Sequence, residues 1–425
     1  MNRQIRRCAL WMMLPALILV LFVSLYPLLN SIEMSFTNKN ILKPNATKFV
    51  GLSNFEDILT DPEFYDTIRV SLIYAFGCAF ASYVIGLGIA TLLNKDIKWR
   101  GLFRAVLLIP WAIPTVVAAS NWSYLLNDQY GLINTWLMRW GIIDSPILFL
   151  ADTSIVLFTV VLVGTWKSYP FMALSLLAGM QNIDRSIYES AQIDGASGSQ
   201  AFWYITMPGL KQVSLVVTTL MFIWGFNNFD IIFLLTSGGP LNATRSLSIY
   251  TYNLAFYRGR MGYSAAISLI MIPLFSTLRA LNLVDTHFSL IFIYISTNLP
   301  FGILTMKGFF DSIPTELDEA AMIDGASPYQ TYWKIVFPTA VPGMISVAVY
   351  TLMSVWNEFT IANIFIQSTE LQTLSVGLRQ FQLQTTTDWG ALSAAAALAC
   401  IPAFLFLIVV QKYLISGMTS GAVKG

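Results

Sequence analysis

Two near-identical stretches of this sequence carry the side chains best suited to recognising a protein partner. Residues 188–208 read YESAQIDGASGSQAFWYITMP, and residues 318–338 read DEAAMIDGASPYQTYWKIVFP. We call them the first loop and the second loop. Glu189 and Glu319 each offer a carboxylate that a basic partner can pair with. The chemistry that these residue types predict is docking rather than catalysis.

The two loops are related by a fixed offset of 130 residues, so each is one copy of a direct repeat. In each copy a glycine permits a sharp turn between two short helices, and a proline ends the loop before the next apolar stretch. Small residues beside the glutamate are expected to let another surface approach closely. The alternative is an amphipathic helix that lies on a bilayer. The identical pairs are Glu189/Glu319, Ala191/Ala321, Ile193/Ile323, Asp194/Asp324, Gly195/Gly325, Ala196/Ala326, Ser197/Ser327, Gln200/Gln330, Trp203/Trp333, Ile205/Ile335 and Pro208/Pro338.

A second group of candidate residues lies within long apolar stretches, where a polar side chain usually marks a ligand or ion path. One cluster is Trp166-Lys167-Ser168-Tyr169-Pro170-Phe171, and the other comprises Met221, Trp224, Gly225, Asn227 and Asn228. Two alternatives stay open. The tryptophans could serve packing or interfacial anchoring, and Asn228 could form a hydrogen bond between helices.

The residues needed for common kinds of catalysis are scarce. His287 is the only histidine, which argues against histidine-based catalysis and a histidine-rich metal site. Cys8, Cys78 and Cys400 have neither metal-binding nor redox spacing. The sequence contains no GxxxxGK[ST] phosphate loop, so we do not expect it to bind ATP in that way. We expect a protein that is not an enzyme by itself and that holds no metal and no cofactor directly.

The composition is that of a protein surrounded by lipid. Hydrophobic residues make up 56% of the 425 residues and charged residues only 11%, whereas soluble domains carry about 25% charged residues. The mean hydropathy is +0.64. The net charge of +1 provides no basic field for binding nucleic acid.

The elements that must position these residues are predicted to be membrane-spanning helices of about 20 apolar residues each. The first is read as an uncleaved helix rather than a signal peptide. The pattern predicts an all-α, polytopic integral membrane bundle with about eight or nine transmembrane helices. The candidate spans are 9–30, 69–93, 103–126, 154–181, 213–236, 263–282, 288–306, 343–366 and 390–415.

The distribution of lysine and arginine predicts the orientation of these spans, because cytoplasmic loops carry an excess of both. One basic cluster precedes the first span and another follows the second span, so the N-terminus and residues 182–212 are expected in the cytoplasm. Residues 31–68, 127–153 and 237–261 are expected outside. The basic clusters comprise Arg3, Arg6 and Arg7, then Lys95, Lys98, Arg100 and Arg104.

The two loops resemble the EAA loop of ABC importer permeases, which reads Glu-Ala-Ala, three residues, Gly, nine residues, Ile-x-Leu-Pro. The resemblance extends over the chain. Residues 1–275, including Gly238-Gly239-Pro240, look like the maltose-type oligosaccharide permease, and residues 271–425 look like the C-terminal part of its partner permease. It implies an ABC importer type I permease fold with a complete first unit (1–275) and a second unit (276–425) that lacks its start.

The resemblance also implies a function: a membrane subunit of an ATP-driven importer of a sugar or oligosaccharide. An external solute-binding protein would deliver the sugar, and a cytoplasmic ATPase dimer would bind the ATP and dock on the EAA loops. The location implied is the cytoplasmic membrane of a bacterium or archaeon; whether a second permease chain takes part is left open. The coupling residues implied are Glu189, Ala191, Asp194, Gly195, Glu319, Ala321, Asp324 and Gly325.

In the resembled permease the sugar is contacted by two stretches of one permease only. Gly225 stands where the family pattern has asparagine, and Lys167 stands where it has an apolar residue. These two differences predict a different substrate from that of the maltose-type importer. Carried over by position, the substrate residues are Trp166, Lys167, Ser168, Phe171, Met221, Trp224, Gly225 and Asn228.

The number of spans conflicts with the side of the membrane expected for the second loop. With 237–261 outside, spans 263–282 and 288–306 would return the chain to the outside, away from any ATPase. Either 263–282 does not cross fully, or the chain is a deletion product, with a seam near residues 271–275. Two other functions stay open: a non-functional permease fusion, and an ion-coupled secondary transporter, although repeats in that class are frequently inverted.

Overall fold

The computed structural model describes residues 25–95, 98, 100–267, 284–311, 313–381 and 389–404, together with Leu14, Ile18 and Leu21. These residues form helices joined by loops, and the one isolated β-bridge among them joins Thr37 to Phe49. The predicted all-α class is therefore confirmed. The predicted span 9–30, the seam at 271–275 and the basic cluster at the N-terminus lie mostly or wholly outside the described residues.

The described part of the first unit contains thirteen α-helices that we number in chain order. They are α1 (Tyr26–Ser35), α2 (Ser53–Thr60), α3 (Pro62–Leu93), α4 (Arg100–Ala112), α5 (Thr115–Leu125), α6 (Leu132–Arg139), α7 (Val156–Gln181), α8 (Arg185–Ile193), α9 (Gly198–Gly209), α10 (Lys211–Phe226), α11 (Asp230–Thr236), α12 (Leu247–Tyr252) and α13 (Met261–Ile267).

The second unit adds seven helices within its described part. They are α14 (His287–Asp311), α15 (Thr315–Ile323), α16 (Tyr329–Thr339), α17 (Val341–Asn357), α18 (Thr360–Phe365), α19 (Leu374–Arg379) and α20 (Trp389–Phe404).

Three of the described helices, α3, α7 and α14, are long and apolar enough to cross a bilayer alone. Three bent pairs add candidate spans: α4 with α5 at 90°, α9 with α10 at 65°, and α16 with α17 at 62°. The described residues thus contain up to six spans, with α20 as a shorter apolar helix. The expectation of eight or nine is not tested, because predicted spans 9–30, 263–282 and 390–415 fall partly outside these residues.

Three spans that were predicted to be continuous are broken in the structure. The span 103–126 breaks at Ile113–Pro114, because proline supplies no backbone N–H. The spans 213–236 and 343–366 each stop and restart as a short helix, α11 or α18. Side chains satisfy the restart of α18: Glu358 accepts the N–H groups of Ile361 (2.5 Å) and Ala362 (3.1 Å). Irregular backbone at membrane depth is tolerated when it is satisfied in this way.

Helices α3 and α7 pack in parallel along most of their lengths. Glycines make this approach possible. A Cβ on Gly77 would come within 2.9 Å of Val161, and a Cβ on Gly86 within 2.8 Å of the Met172 side chain. Because 77 faces 161 and 86 faces 172, residue numbers rise together and both helices run the same way.

Helix α10 runs antiparallel to α3, since Tyr83 bonds Ser214 (oxygen–oxygen 3.1 Å) whereas Phe76 stacks near Phe222. The C-terminus of α7 and the N-terminus of α10 therefore lie at the same end of the bundle, joined by the first loop. We call this end the loop end and the other the opposite end.

At the opposite end, Asp61 caps α3 and ties it to the segment that follows α11. Its carboxylate accepts hydrogen bonds from the hydroxyls of Tyr250 and Tyr263 (2.8 Å for Tyr263), while Arg245 pairs with Glu63 at 3.4 Å. Burial alone would raise the pKa of Asp61, but these hydrogen bonds and those from backbone N–H groups hold it below the usual value. Burial and the bond to Asp61 raise the pKa of Tyr250 to about 12.

The second unit repeats the antiparallel arrangement, with α14 against α17. Phe301 stacks on Tyr350 with ring centroids 3.7 Å apart, and the Tyr294 hydroxyl donates to Glu358 at 2.7 Å. A Cβ on Gly343 would be 3.0 Å from the Phe309 Cβ. The second loop therefore joins these two helices at one end, as the first loop joins α7 and α10.

The second loop lies at the loop end, a position that the sequence left open. Lys167 on α7 bonds Asn357 on α17 (3.0 Å), and seven residues further along α7, Leu174 shares a buried cluster with Met353. Helix α17 is thus antiparallel to α7, as α10 is. From Met353 to Val341 it continues for about 18 Å at 1.5 Å per residue, toward the loop end.

The residues that flank 268–283 lie at the same end of the bundle as each other. Gly262 donates its backbone N–H to Lys39 at the opposite end (3.0 Å). Asp285 donates its backbone N–H to Phe365 (2.8 Å), beyond the C-terminus of α17. Both flanks therefore lie at the opposite end, and α14 runs from there to the loop end.

Candidate functional site

A cavity of about 320 Å³ lies between the two units. This volume falls within the range of small-molecule sites, about 300–1,000 Å³. Its walls combine aromatic rings, methionines and a few polar groups. The lining residues are Trp111, Lys167, Ser168, Phe171, Met221, Trp224, Tyr350, Met353, Ser354 and Asn357.

Helices α7 and α10 bring five of the eight predicted substrate residues to this cavity. Lys167, Ser168 and Phe171 share about one turn of α7, and Met221 and Trp224 are three residues apart on α10, which places each set on one face. The Phe171 and Trp224 rings are 5.1 Å apart and tilted by 58°. Together they form an aromatic wall.

Lys167 supplies the one charged side chain among the lining residues, and all three of its N–H donors are used. Its Nζ donates to the carbonyl oxygens of Trp111 (3.3 Å) and Ile113, and to Asn357 Oδ1 (3.0 Å). The two carbonyls lie where α4 ends, so they lack partners within that helix. The ammonium therefore caps the broken α4–α5 span and links it to the second unit.

The other three predicted substrate residues do not line the cavity. Trp166 packs edge-on against Trp122, with ring centroids 5.6 Å apart. Gly225 lies against α3, where an added Cβ would be 3.0 Å from the Ala75 Cα. Asn228 Oδ1 accepts the N–H of Ile231, in the first turn of α11, at 3.3 Å. Trp166 fits the packing alternative, and Asn228 makes a local bond rather than one between helices.

Sequence reasoning missed half of the cavity wall. The resemblance implied contacts from one permease only, but α17 of the second unit supplies Tyr350, Met353, Ser354 and Asn357. A signal was present: the alignment that pairs Trp224 with Trp356, two residues off the main offset, also pairs Met221 with Met353. Trp111 had no comparable signal.

Between the cavity and the opposite end, corresponding residues of the two units meet. The Thr360 hydroxyl donates a hydrogen bond to the Asp230 carboxylate. The preceding residues, Phe229 and Phe359, are both buried. The two N-termini of α11 and α18 thus meet directly.

The two loops share one turn geometry. In the first loop, Gly195 N–H bonds the Gln192 carbonyl (3.1 Å) and Ala196 N–H bonds the Ala191 carbonyl (2.9 Å). This is a Schellman motif, which requires the left-handed conformation that glycine adopts without strain. Gly195 has φ = 80°.

The second loop repeats the same bonds at the same lengths. Gly325 N–H bonds the Met322 carbonyl (3.1 Å), Ala326 N–H bonds the Ala321 carbonyl (2.9 Å), and Gly325 has φ = 82°. The next helix begins identically in both, because Ser197 and Ser327 each accept an N–H from the glutamine three residues on, at 3.3 Å. The 130-residue repeat is therefore a repeat of structure as well as of sequence.

Most of the predicted coupling residues are exposed, but the alanines are not. Glu189, Asp194, Gly195, Glu319, Asp324 and Gly325 are exposed. Ala321 is only 4% exposed and Ala191 is half-buried. The small residues directly after the glutamates, Ser190 and Ala320, are exposed, so the expectation that they let a partner approach closely stays a prediction. The exposed apolar groups are Ile193 (87%) and Ile323 (85%).

The loops differ in how their first helix starts. Asp184 caps α8 by accepting the N–H of Ser186 at 2.9 Å, and bonds from Ser186 hold the pKa of that carboxyl below its usual value. The corresponding residue in the second unit is Pro314, which caps α15 with no side-chain hydrogen bond. Within the first loop, Arg185 and Glu189 also pair at 3.7 Å.

Comparison with known proteins gives consistent relatives. The sequence profile of the family described as "binding-protein-dependent transport system inner membrane component" matches residues 82–284 and again residues 280–420. The trehalose/maltose transport system permease protein MalF of Thermococcus litoralis is 38% identical over 259 residues, covering 61% of this chain and 86% of that protein. The sulfoquinovosyl glycerol transport system permease SmoG of Agrobacterium fabrum is 31% identical over 282 residues, covering 65% and 90%.

Solved structures share the fold. A chain of a bacterial ABC transporter that imports the acidic polysaccharide alginate superposes with a TM-score of 0.55 at 21% identity, over 69% of this chain and 97% of that one. A chain of the alginate transporter in complex with its pentasaccharide-bound periplasmic protein gives a TM-score of 0.53 at 23% identity, over 67% and 98%. At these identities the likeness concerns the fold alone.

Proposed function

The chain belongs to the family of binding-protein-dependent transport system inner membrane components, and we propose that it is the multi-pass permease of an ABC importer that moves a sugar or oligosaccharide across the cytoplasmic membrane. It is the membrane component of such a system and not an enzyme. ATP is hydrolysed on a separate ATPase. An external binding protein delivers the sugar.

The observation that carries the substrate class is the cavity between the units. Sugars present C–H faces that stack on aromatic rings, and hydroxyls that bond amides and hydroxyl groups. The wall offers both, with Trp224 and Phe171 on one side and Asn357 and Ser354 on the other. A cavity between the two units fits alternating access, because either side of it can open when the units separate.

The coupling part of the proposal rests on the two loops. Each presents an exposed glutamate and an exposed isoleucine on a rigid Schellman turn at the loop end. An arginine of the ATPase would pair with Glu189 or Glu319, and a cleft would receive the short helix α8 or α15. We therefore assign the loop end to the cytoplasm, and the basic cluster before the first span favours the same side for the N-terminus.

The test is uptake by proteoliposomes that contain the chain, its ATPase and its binding protein. A panel of labelled neutral and acidic oligosaccharides should include one that accumulates only when ATP is inside and binding protein outside. Accumulation should survive a proton uncoupler. Uptake that needs a proton gradient and ignores ATP would contradict the proposal, and so would ATP-dependent transport that excludes every saccharide.

A further inference from the structure

The geometry points to one chain that fills both permease positions of the importer, so that it docks two ATPase subunits without a second permease chain. This inference rests on the proposed function and concerns the number and identity of its partners. It is carried by the symmetry of the two units, by their shared cavity and by two equivalent exposed surfaces at the loop end.

The first step is that the two units are equivalent over a long stretch. In the first unit it extends from α7 to α11, and in the second from α14 to α18. Corresponding helices begin 130 residues apart, and the bend between loop and span is 65° in the first unit and 62° in the second. The pairs are α8 with α15, α10 with α17, and α11 with α18, starting at Arg185/Thr315, Lys211/Val341 and Asp230/Thr360.

The second step is the contact between Asp230 and Thr360. Two objects related by a two-fold axis bring a residue against its own counterpart only where that residue lies at the axis. These two residues are counterparts at the repeat offset, so a pseudo-two-fold axis passes between them. Because both loops lie at the loop end, the axis runs along the bundle and not across it.

The third step is that the second unit occupies the surface a separate permease would need. Lys167 bonds Asn357 across the unit boundary, and the Arg379 guanidinium sits over the Phe233 ring at 4.7 Å. The Trp389 indole donates to the Tyr130 hydroxyl at 3.1 Å. The cavity is lined by residues of both units, so one chain supplies both sides of the proposed substrate site.

The fourth step is the pair of exposed isoleucines. An exposed isoleucine on the same short helix as an exposed glutamate offers a partner's groove both an apolar and a charged contact. Ile193 is 87% exposed and Ile323 is 85% exposed, and each ends the helix that carries the exposed glutamate. Two such surfaces related by a two-fold axis match a partner that is itself a dimer of like subunits.

The first experiment is native mass spectrometry of the chain co-expressed with its cognate ATPase and purified in nanodiscs. We expect one chain to bind two ATPase subunits, with ATPase activity stimulated. A complex of two chains with two ATPase subunits would overturn the inference while leaving the proposed function intact. Absence of any bound ATPase would overturn the proposed function and the inference with it.

The second experiment removes one docking surface at a time. Ile193→Asp or Ile323→Asp should each reduce the complex to one ATPase per chain, and the double variant should bind none. Leu241→Asp changes an equally exposed residue (90%) at the opposite end and should keep two. If Ile323→Asp leaves two ATPase subunits bound, the second loop does not dock and the inference fails.

The third experiment tests, without the ATPase, whether the two loops face the same side of the membrane. In a background with Cys8, Cys78 and Cys400 replaced, Asp194→Cys and Asp324→Cys should react with an impermeant maleimide from the same side. Thr369→Cys, exposed at the opposite end, should react from the other side. Labelling of Asp324→Cys together with Thr369→Cys would overturn the inference even if the ATPase still binds to the first loop.

Discussion

Thr360 donates a hydrogen bond to Asp230, and these residues are each other's counterparts in a repeat of 130 positions. The contact links the starts of α11 and α18, where two broken spans resume. It lies between the cavity and the opposite end, so separating the two units on that side must break it.

Replacing Thr360 by valine should lower stability, because the partly buried Asp230 carboxylate would lose a partner. An unsatisfied buried polar group costs about 1–3 kcal/mol. The midpoint of thermal unfolding in nanodiscs should fall for Thr360→Val and stay near wild type for Thr360→Ser, which keeps the hydroxyl. Equal midpoints for the two variants would show that the hydrogen bond contributes nothing.

Replacing Lys167 by methionine should also lower stability, because three acceptors around its Nζ would lose their donor. The expected cost is about 1–3 kcal/mol, read from the same unfolding midpoint. Lys211→Met removes an exposed lysine at the start of α10 and should change stability by no more than about 0.5 kcal/mol. If Lys167→Met and Lys211→Met have the same unfolding midpoint, Lys167 does not cap α4.

Removing an aromatic ring from the cavity should weaken transport of the sugar. Ring stacking is worth about 0.5–1.5 kcal/mol, so Trp224→Ala and Phe171→Ala should each raise the half-saturating sugar concentration by about 2-fold to 12-fold at 1.4 kcal/mol per tenfold. Trp140→Ala, at an exposed ring outside the cavity, is the control. An unchanged half-saturating concentration in all three would place the substrate elsewhere.

Substituting either loop glycine by alanine should uncouple ATP hydrolysis from transport. Gly195 and Gly325 have φ of 80° and 82°, a conformation that costs an L-residue roughly 1–2 kcal/mol. Sugar-stimulated ATPase activity should fall in both variants by similar factors. Gly198→Ala provides the control, because that residue has no positive φ and open space around it. Loss in one variant alone would mean that only one loop couples.

The network around Asp61 should make stability depend on pH. Because the folded pKa of Asp61 is lowered, its contribution is present above its unfolded value of 3.8 and is lost as the pH falls further. The raised pKa of Tyr250 has the opposite sign: its contribution is lost as the pH rises from 10.0 toward about 12. The difference in unfolding midpoint between wild type and Asp61→Asn should be constant between pH 3.8 and pH 10.0. It should shrink below pH 3.8. A constant difference down to the lowest pH would contradict this assignment.

Much of the fold followed from local patterns. The helices α3, α7 and α14 and the turns at Gly195 and Gly325 agree with the predicted spans and loops, because hydropathy and left-handed turns depend on neighbouring residues. The breaks at Ile113, Asn227 and Glu358 did not follow. A run of apolar residues predicts a continuous helix. It does not show whether a distant side chain bonds the backbone groups that a break in the helix would leave free.

The sequence by itself determined the class of the protein, since an apolar chain with a repeated EAA loop leaves few other functions. It could not determine the side of the second loop, because counting spans requires knowing which segments cross fully. The tertiary structure decided this through contacts such as Lys167 with Asn357 and Asp285 with Phe365. It also decided that the cavity belongs to both units. Such contacts join residues far apart in the chain, and no local pattern of residue types encodes which distant side chain completes a hydrogen bond.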